Sequence, residues 1–357
     1  MTDTNLDDLS IYPTLDPSDM RASIRQLPIS CLDAWSEAAK LELPENYGNV
    51  NGVLIIGMGG SAIGGDLIAA FAGGECRVPI IVHRGYDLPA WINEKTLVIT
   101  SSYSGNTEET LSAFDMALKS GAKCLVITSG GKLRDSAEKA GIPIFIITYR
   151  CQPRAALAFS LFPILNFLSR LHLIHEKDAD ISEVAVVLEQ FAAKLAPEAG
   201  LIRNLAKETT LKVHGKIPVI LGAEMTSLVA YRWETQINEN AKSFALSESF
   251  PELDQNSIVG YKFPQDLTQH IVVVMLRANM LSERVRLRYV LTARILQQAK
   301  IQVVGIDGRG ISPLTQMMSL VLLGDYVSYY RAILNQIDPT PGKGYRFSQE
   351  RTFTPEC

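Results

Sequence analysis

Gly57-Met58-Gly59-Gly60-Ser61-Ala62-Ile63-Gly64-Gly65 stands directly after the apolar run Val53–Ile56 and opens a helix-compatible stretch. A strand that ends in a glycine-rich turn and feeds a helix is the building unit of parallel α/β sheets. Glycines at such a turn let backbone amides approach an anion at the helix N-terminus, where the helix dipole also favours negative charge. Outward from this stretch, short apolar runs recur at Pro79–Val82, Leu97–Thr100, Cys124–Thr128 and Ile144–Thr148, separated by segments of helical pattern. That alternation predicts a parallel sheet with helices on both faces. The helix over Thr107–Ser120 carries the core stripe Leu111, Phe114 and Leu118, with Glu108, Glu109, Asp115 and Lys119 directed elsewhere.

Before the sheet, Asp16–Ala38 places Met20, Ile24, Leu27 and Cys31 at helical spacing and reads as a helical lead-in over residues 1–40. After it, an apolar helix over Ala155–Leu173 and a charged, alanine-rich stretch over Lys177–Glu208 connect to a second alternating region. That region runs Ile217–Leu221, a helix to Ile237, Ile271–Leu276, a helix over Ser282–Lys300, Ile301–Ile306 and a helix over Pro313–Leu334. The division expected is 41–175 for a first α/β domain and 176–357 for a second, with the connecting helices and a carboxy-terminal tail. A chain of 357 residues suits two such units.

Composition narrows the function. Net charge is −4, so no broad basic surface for nucleic acid or an anionic membrane is expected, and any phosphate must be held by local geometry. The apolar run Ala155–Leu168 is broken by Ser160, Pro163 and Asn166 and is too short to span a bilayer. The acidic start MTDTNLDDLS lacks the order of a signal peptide, which makes a cytoplasmic location the expectation. Cys31, Cys76, Cys124, Cys151 and Cys357 are odd in number and lack close metal-ligand spacing; reduced structural thiols and no metal site are expected.

Read alone, Gly57, Gly59 and Ala62 satisfy a dinucleotide fingerprint, which calls for an acidic residue on the ribose after the next strand. Here Pro79–Val82 is followed by His83 and Arg84, of which a 2′-phosphorylated dinucleotide could use the arginine, so the dinucleotide reading is weakened and stays open. A second turn points to different chemistry. Ser101-Ser102-Tyr103-Ser104-Gly105-Asn106-Thr107 follows Leu97–Thr100 and precedes the Leu111 helix, so several hydroxyls converge on a helix start. One such turn also fits a plain helix cap. Two together, with Ser61 at the edge of the first, suit the terminal oxygens of a phosphate monoester.

These two blocks, followed in order by CQPRAAL, NENAK and PELDQNSIVGY, resemble the bifunctional phosphoglucose/phosphomannose isomerases of the SIS (sugar isomerase) superfamily, from about Asp8 to Pro341. The resemblance implies two SIS-type α/β domains, each a mainly parallel sheet flanked by helices, and aldose-ketose isomerisation of a hexose 6-phosphate without a cofactor. It places phosphate binding on Gly60, Ser61, Ser102, Ser104 and Thr107. It places substrate positioning and enediolate stabilisation on Arg154, and the proton-shuttling carboxylate, expected to be partly buried with a raised pKa, on Glu239. Without the resemblance a glutamate near a helix end reads as solvated. The family's ring-opening histidine block reaches a neighbouring subunit's site, so a homodimer is implied, with a phosphosugar as the small-molecule partner.

Two departures stand out. The family's ring-opening histidine falls on Gln255, which can orient a ring oxygen but cannot exchange a proton near neutral pH, so a contribution of about 10² to 10⁴ to that step is at stake. After Asp338-Pro339-Thr340-Pro341 the family continues into a lysine-bearing helix, whereas this chain runs Gly342-Lys343-Gly344 and on to Arg351, and neither cation is assigned. A phosphosugar-binding protein with weak or no turnover is the competing expectation.

Overall fold

The computed structural model describes residues 4–340. The chain enters through α1 (Tyr12–Leu15), α2 (Met20–Arg25) and α3 (Leu27–Ala39). The single lead-in helix expected over Asp16–Ala38 is broken at Gln26, which ends α2 and starts α3. Pro28 explains the break: it has no N–H to donate back into α2, and in the first turn of α3 none is required. α2 itself starts at Met20 because the Asp16 carboxylate accepts the backbone N–H groups of Met20 and Arg21.

The first sheet follows as β1 (Gly52–Ile56), α4 (Gly59–Ala72), β2 (Ile80–His83), β3 (Thr96–Ser102), α5 (Glu108–Lys119), β4 (Lys123–Thr128), α6 (Gly131–Lys139) and β5 (Ile144–Ile146). It is wholly parallel in the order β2-β1-β3-β4-β5. β1 and β3 are buried along their length, as near-continuous apolar runs in a parallel sheet must be. Strand order reverses between β1 and β3, and the crevice outside their carboxyl ends is where such sheets bind ligands. The two glycine- and hydroxyl-rich turns lie there.

α7 (Leu157–Arg170), α8 (Asp178–Leu195) and α9 (Leu205–Val213) carry the chain across to the second sheet. That sheet comprises β6 (Ile217–Ala223), α10 (Met225–Ala241), β7 (Leu246–Phe250), α11 (Gln265–Thr268), β8 (Ile271–Arg277), α12 (Glu283–Gln298) and β9 (Gln302–Asp307), before α13 (Pro313–Leu334). Its parallel order, β7-β6-β8-β9, repeats that of the first sheet less one edge strand. β7 has no counterpart in the pattern read from the sequence. Leu246-Ser-Glu-Ser-Phe250 is too polar to read as a strand, and its edge position, paired only to β6, tolerates that polarity.

One continuous buried cluster runs from Cys31 and Ala34 of α3 through Phe162 and Leu165 of α7 to Tyr326 and Tyr329 of α13. A smaller one fills the other face of the first sheet, where Phe114 and Ala117 of α5 and Leu133 of α6 pack on Leu54, Val98 and Val126. α13 is buried without interruption from Leu314 to Ile333, enclosed by α10, α8, α9 and α2. Its Asp325 accepts Arg232 Nη2 on both oxygens at 2.9 Å and the Gln236 amide at 2.8 Å, so α10 is held against it by a buried ion pair. Among the described residues no helix is long and apolar enough to cross a membrane.

Candidate active site

The two turns meet through Ser61. Its Oγ accepts the backbone N–H of Tyr103 at 3.0 Å, tying the start of α4 to the loop after β3. In that loop Ser102 Oγ accepts the Gly105 N–H at 3.2 Å and lies 3.3 Å from Thr107 Oγ1, while Ser104 Oγ accepts the Asn106 N–H at 3.2 Å. Thr107 occupies the position before α5 without capping it by its side chain, and α4 likewise has no side-chain cap. Helix starts without side-chain caps, set beside clustered hydroxyls, leave backbone N–H groups free to donate to a compact anion. The plain-cap reading of Ser104 and Thr107 does not describe this geometry.

The same loop is tied to the next element of the site. Tyr103 OH donates to the Tyr149 carbonyl at 2.8 Å and accepts the Cys151 N–H at 3.0 Å, which fixes the approach to Pro153 and Arg154. The backbone of those two residues then passes so close to Gly60 that a Cβ there would lie 3.1 Å from Arg154 N and Cα and from Pro153 C. A side chain at position 60 would therefore press on the Pro153–Arg154 backbone, which would have to give by a few tenths of an ångström.

From this contact Arg154 reaches across to the second half. Only 5% of it is exposed. Its Nε donates to Asn240 Oδ1 at 2.6 Å, its Nη2 to the Pro339 carbonyl at 2.8 Å, and its Nη1 lies 3.4 Å from Glu239 Oε2. Burial lowers the guanidinium pKa from its ordinary value, with the Glu239 charge acting in the opposite sense. Behind it, Arg232 donates to the Arg154 carbonyl at 3.2 Å while paired with Asp325, so the α10–α13 contact also steadies this residue.

Glu239 and Asn240 stand at the end of α10 and face differently. Asn240 is buried against Ser328 of α13 at 2.9 Å, whereas half of the Glu239 side chain is exposed. The partly buried carboxylate expected from sequence is thus at the rim of the site in the single chain, because α10 ends two residues later. Just beyond it stands Lys242, a residue the sequence reading gave no role. It adopts the left-handed conformation at the end of α10, and its Nζ donates to the carbonyls of Asp338 at 2.9 Å, Pro339 at 3.0 Å and Thr340 at 3.3 Å. Burial, and then the charge of Arg154, lower its pKa.

Gln255 is not brought to this group. It is exposed, just after β7, in a segment whose Asp254 is anchored to α12 by Arg288 and Thr292, each at 2.8 Å. Right-handed crossovers put α12 on the face of the second sheet opposite α10, away from Glu239. The stretch from Pro341, with Lys343 and Arg351, lies outside the described residues. Arg84, the residue on which a dinucleotide reading leaned, is paired with Asp66 of α4.

A family described as the bacterial phospho-glucose isomerase C-terminal SIS domain matches residues 202–344. The bifunctional phosphoglucose/phosphomannose isomerase of Caldicellulosiruptor bescii is 42% identical over 325 residues, covering 91% of this chain and 96% of that protein. The Aquifex aeolicus protein of the same name is 34% identical over 310 residues, covering 87% and 91%. Among solved structures, a glucose-6-phosphate isomerase like protein from Thermus thermophilus superposes with a TM-score of 0.61 at 17% identity, covering 94% of this chain and 95% of its own. The C-terminal domain of glucosamine-fructose-6-phosphate aminotransferase from Francisella tularensis does so with a TM-score of 0.66 at 13% identity, covering 90% and 98%. These two likenesses establish the two-sheet SIS fold, and the sequence relatives establish more: the chain belongs to the bifunctional phosphoglucose/phosphomannose isomerase family.

Proposed function

We propose that this chain interconverts glucose 6-phosphate and/or mannose 6-phosphate with fructose 6-phosphate, moving one proton between C2 and C1 through a cis-enediol. In this reading Gly60, Ser61, Ser102, Ser104 and Thr107 hold the phosphate. Glu239 removes the C2 proton and returns it to C1, and Arg154 stabilises the negative oxygen of the enediolate. The reaction is an internal redox exchange between neighbouring carbons, so it requires no nicotinamide. The observation that carries the proposal is the position of Arg154, whose backbone abuts Gly60 of the cradle while its guanidinium holds Asn240 and approaches Glu239. One buried residue thereby joins the phosphate end of the site to the carboxylate. The family favours turnover over the binding-only alternative.

The active assembly in this proposal is a cytoplasmic homodimer in which Gln255 of one copy meets the ring oxygen in the site of the other. Two observations support it. Gln255 lies away from its own chain's Glu239, and Val259 and Phe263 beside it are 76% and 71% exposed. Leu287, Leu291 and Ile295 continue an apolar stripe along α12, next to that segment. The units 1–40, 41–175 and 176–357 are retained in this reading as lead-in, cradle domain and carboxylate domain.

The test is a coupled assay on both aldose phosphates and on fructose 6-phosphate with Glu239→Gln alongside. Turnover is expected to fall by about 10² to 10⁴ or more on every substrate, with melting unchanged because the side chain is half exposed. Turnover retained in the variant would assign the proton transfer to another group.

A further inference from the structure

Away from the candidate active site, a cleft of about 690 Å³ opens between α12 and β9, at the carboxyl ends of β8 and β9. Its size falls within the range of about 300–1,000 Å³ typical of small-molecule sites. In the first sheet the strand equivalent to β9 is β4, which is flanked by β5; the second sheet has no such strand, and the cleft lies open along that edge. Its floor is apolar, from Met275, Ala278, Ala293 and Val303. Its charge is one-sided: Arg277, Arg286 and Arg294 line it against the single carboxylate of Asp307. In a chain of net charge −4 this is a local positive basin.

Arg277 is fixed in place. Its Nε and Nη2 meet the two Asp307 oxygens at 2.8 Å each, and it lies flat across β9 because a Cβ at Gly305 would come within 3.0 Å of its Cζ. Asp307 therefore holds Arg277 and leaves Arg286 and Arg294, which have no ion-pair partner among the described residues, to an external anion. Those two stand eight residues apart on α12, about 12 Å along the helix axis, so a ligand that meets both where they stand is longer than one phosphate group. An elongated ligand fits, with its anionic group beside Arg286 and a flat body on the apolar floor toward Arg294. Guanidinium planes stack on aromatic rings. The Gln297 amide, one turn beyond, offers a donor and an acceptor to a polar ring edge.

We propose that this cleft is a second ligand site and that it takes a nucleoside monophosphate. The test is calorimetric titration of the full chain with adenosine 5′-monophosphate, adenosine and inorganic phosphate, repeated on an Arg286→Ala/Arg294→Ala variant. The nucleotide should bind saturably, with adenosine and phosphate each weaker by about tenfold or more, and the variant should lose about tenfold or more of the nucleotide affinity. Its kcat/KM on fructose 6-phosphate should stay that of the parent, since neither arginine touches the cradle. Four results would overturn the proposal: no saturable nucleotide binding, equal binding of adenosine, unchanged affinity in the variant, or displacement of the nucleotide by fructose 6-phosphate. A fifth would be a lower mass for the variant in light scattering, which would make the cleft a contact between copies.

Discussion

Arg154→Lys separates the roles of charge and shape in the site. Lysine keeps the positive charge but replaces the planar guanidinium fork with a single ammonium on a different stem, so it cannot reproduce the present pair of bonds to Asn240 Oδ1 at 2.6 Å and to the Pro339 carbonyl at 2.8 Å. The 3.4 Å approach to Glu239 reaches a half-exposed carboxylate and is discounted. A buried partner left unsatisfied costs about 1–3 kcal/mol. If that loss is expressed fully in the transition state, kcat/KM falls by about 5- to 150-fold. The assay is conversion of fructose 6-phosphate to glucose 6-phosphate followed through a coupling dehydrogenase, with thermal melts on the same preparations. The reasoning fails if the variant keeps kcat/KM within about twofold while its melting temperature drops, because Arg154 would then only hold the two halves together.

Gln255→His should raise the rate on the cyclic aldose phosphates by about 10² if ring opening limits the enzyme, and the gain should vanish in a Glu239→Gln background; equal rates would place ring opening elsewhere. Gly60→Ala puts a methyl 3.1 Å from the Pro153–Arg154 backbone and should cost about tenfold in kcat/KM, while circular dichroism reports no loss of helix because alanine is the better helix former. Burial and the nearby Arg331 charge hold the His214 pKa below its ordinary value of 6.5. On acidification the unfolded chain takes up that proton first, so denaturant melts should show stability declining as pH falls below 6.5, less steeply in His214→Gln.

What was legible in the sequence followed the local rules. The turns after β1 and β3 could be read because their glycines and hydroxyls are contiguous and sit at strand-to-helix junctions. Arg154 and Glu239 could be located only through the resemblance, since the contacts that join them cross 85 residues of chain. Lys242 was invisible for the same reason: its acceptors Asp338 and Pro339 lie 96 and 97 residues away, and a lysine at a helix end looks ordinary. β7 was missed because an edge strand needs only one apolar face, and Ser247 and Glu248 mask the period. The half exposure of Glu239 is what a glutamate near a helix end shows when read without the resemblance.

The double hold on the Pro339 carbonyl, by Arg154 from one half and Lys242 from the other, matters for handling the protein. Residues 338–340 follow α13 and look expendable, a natural place to trim the chain or graft an affinity tag. Their carbonyls instead accept from Arg154 and Lys242. Ending the chain before them would strip acceptors from two cations beside the candidate carboxylate. Such a protein would keep every strand and helix described above. Its weak turnover would then be misread as a property of the enzyme.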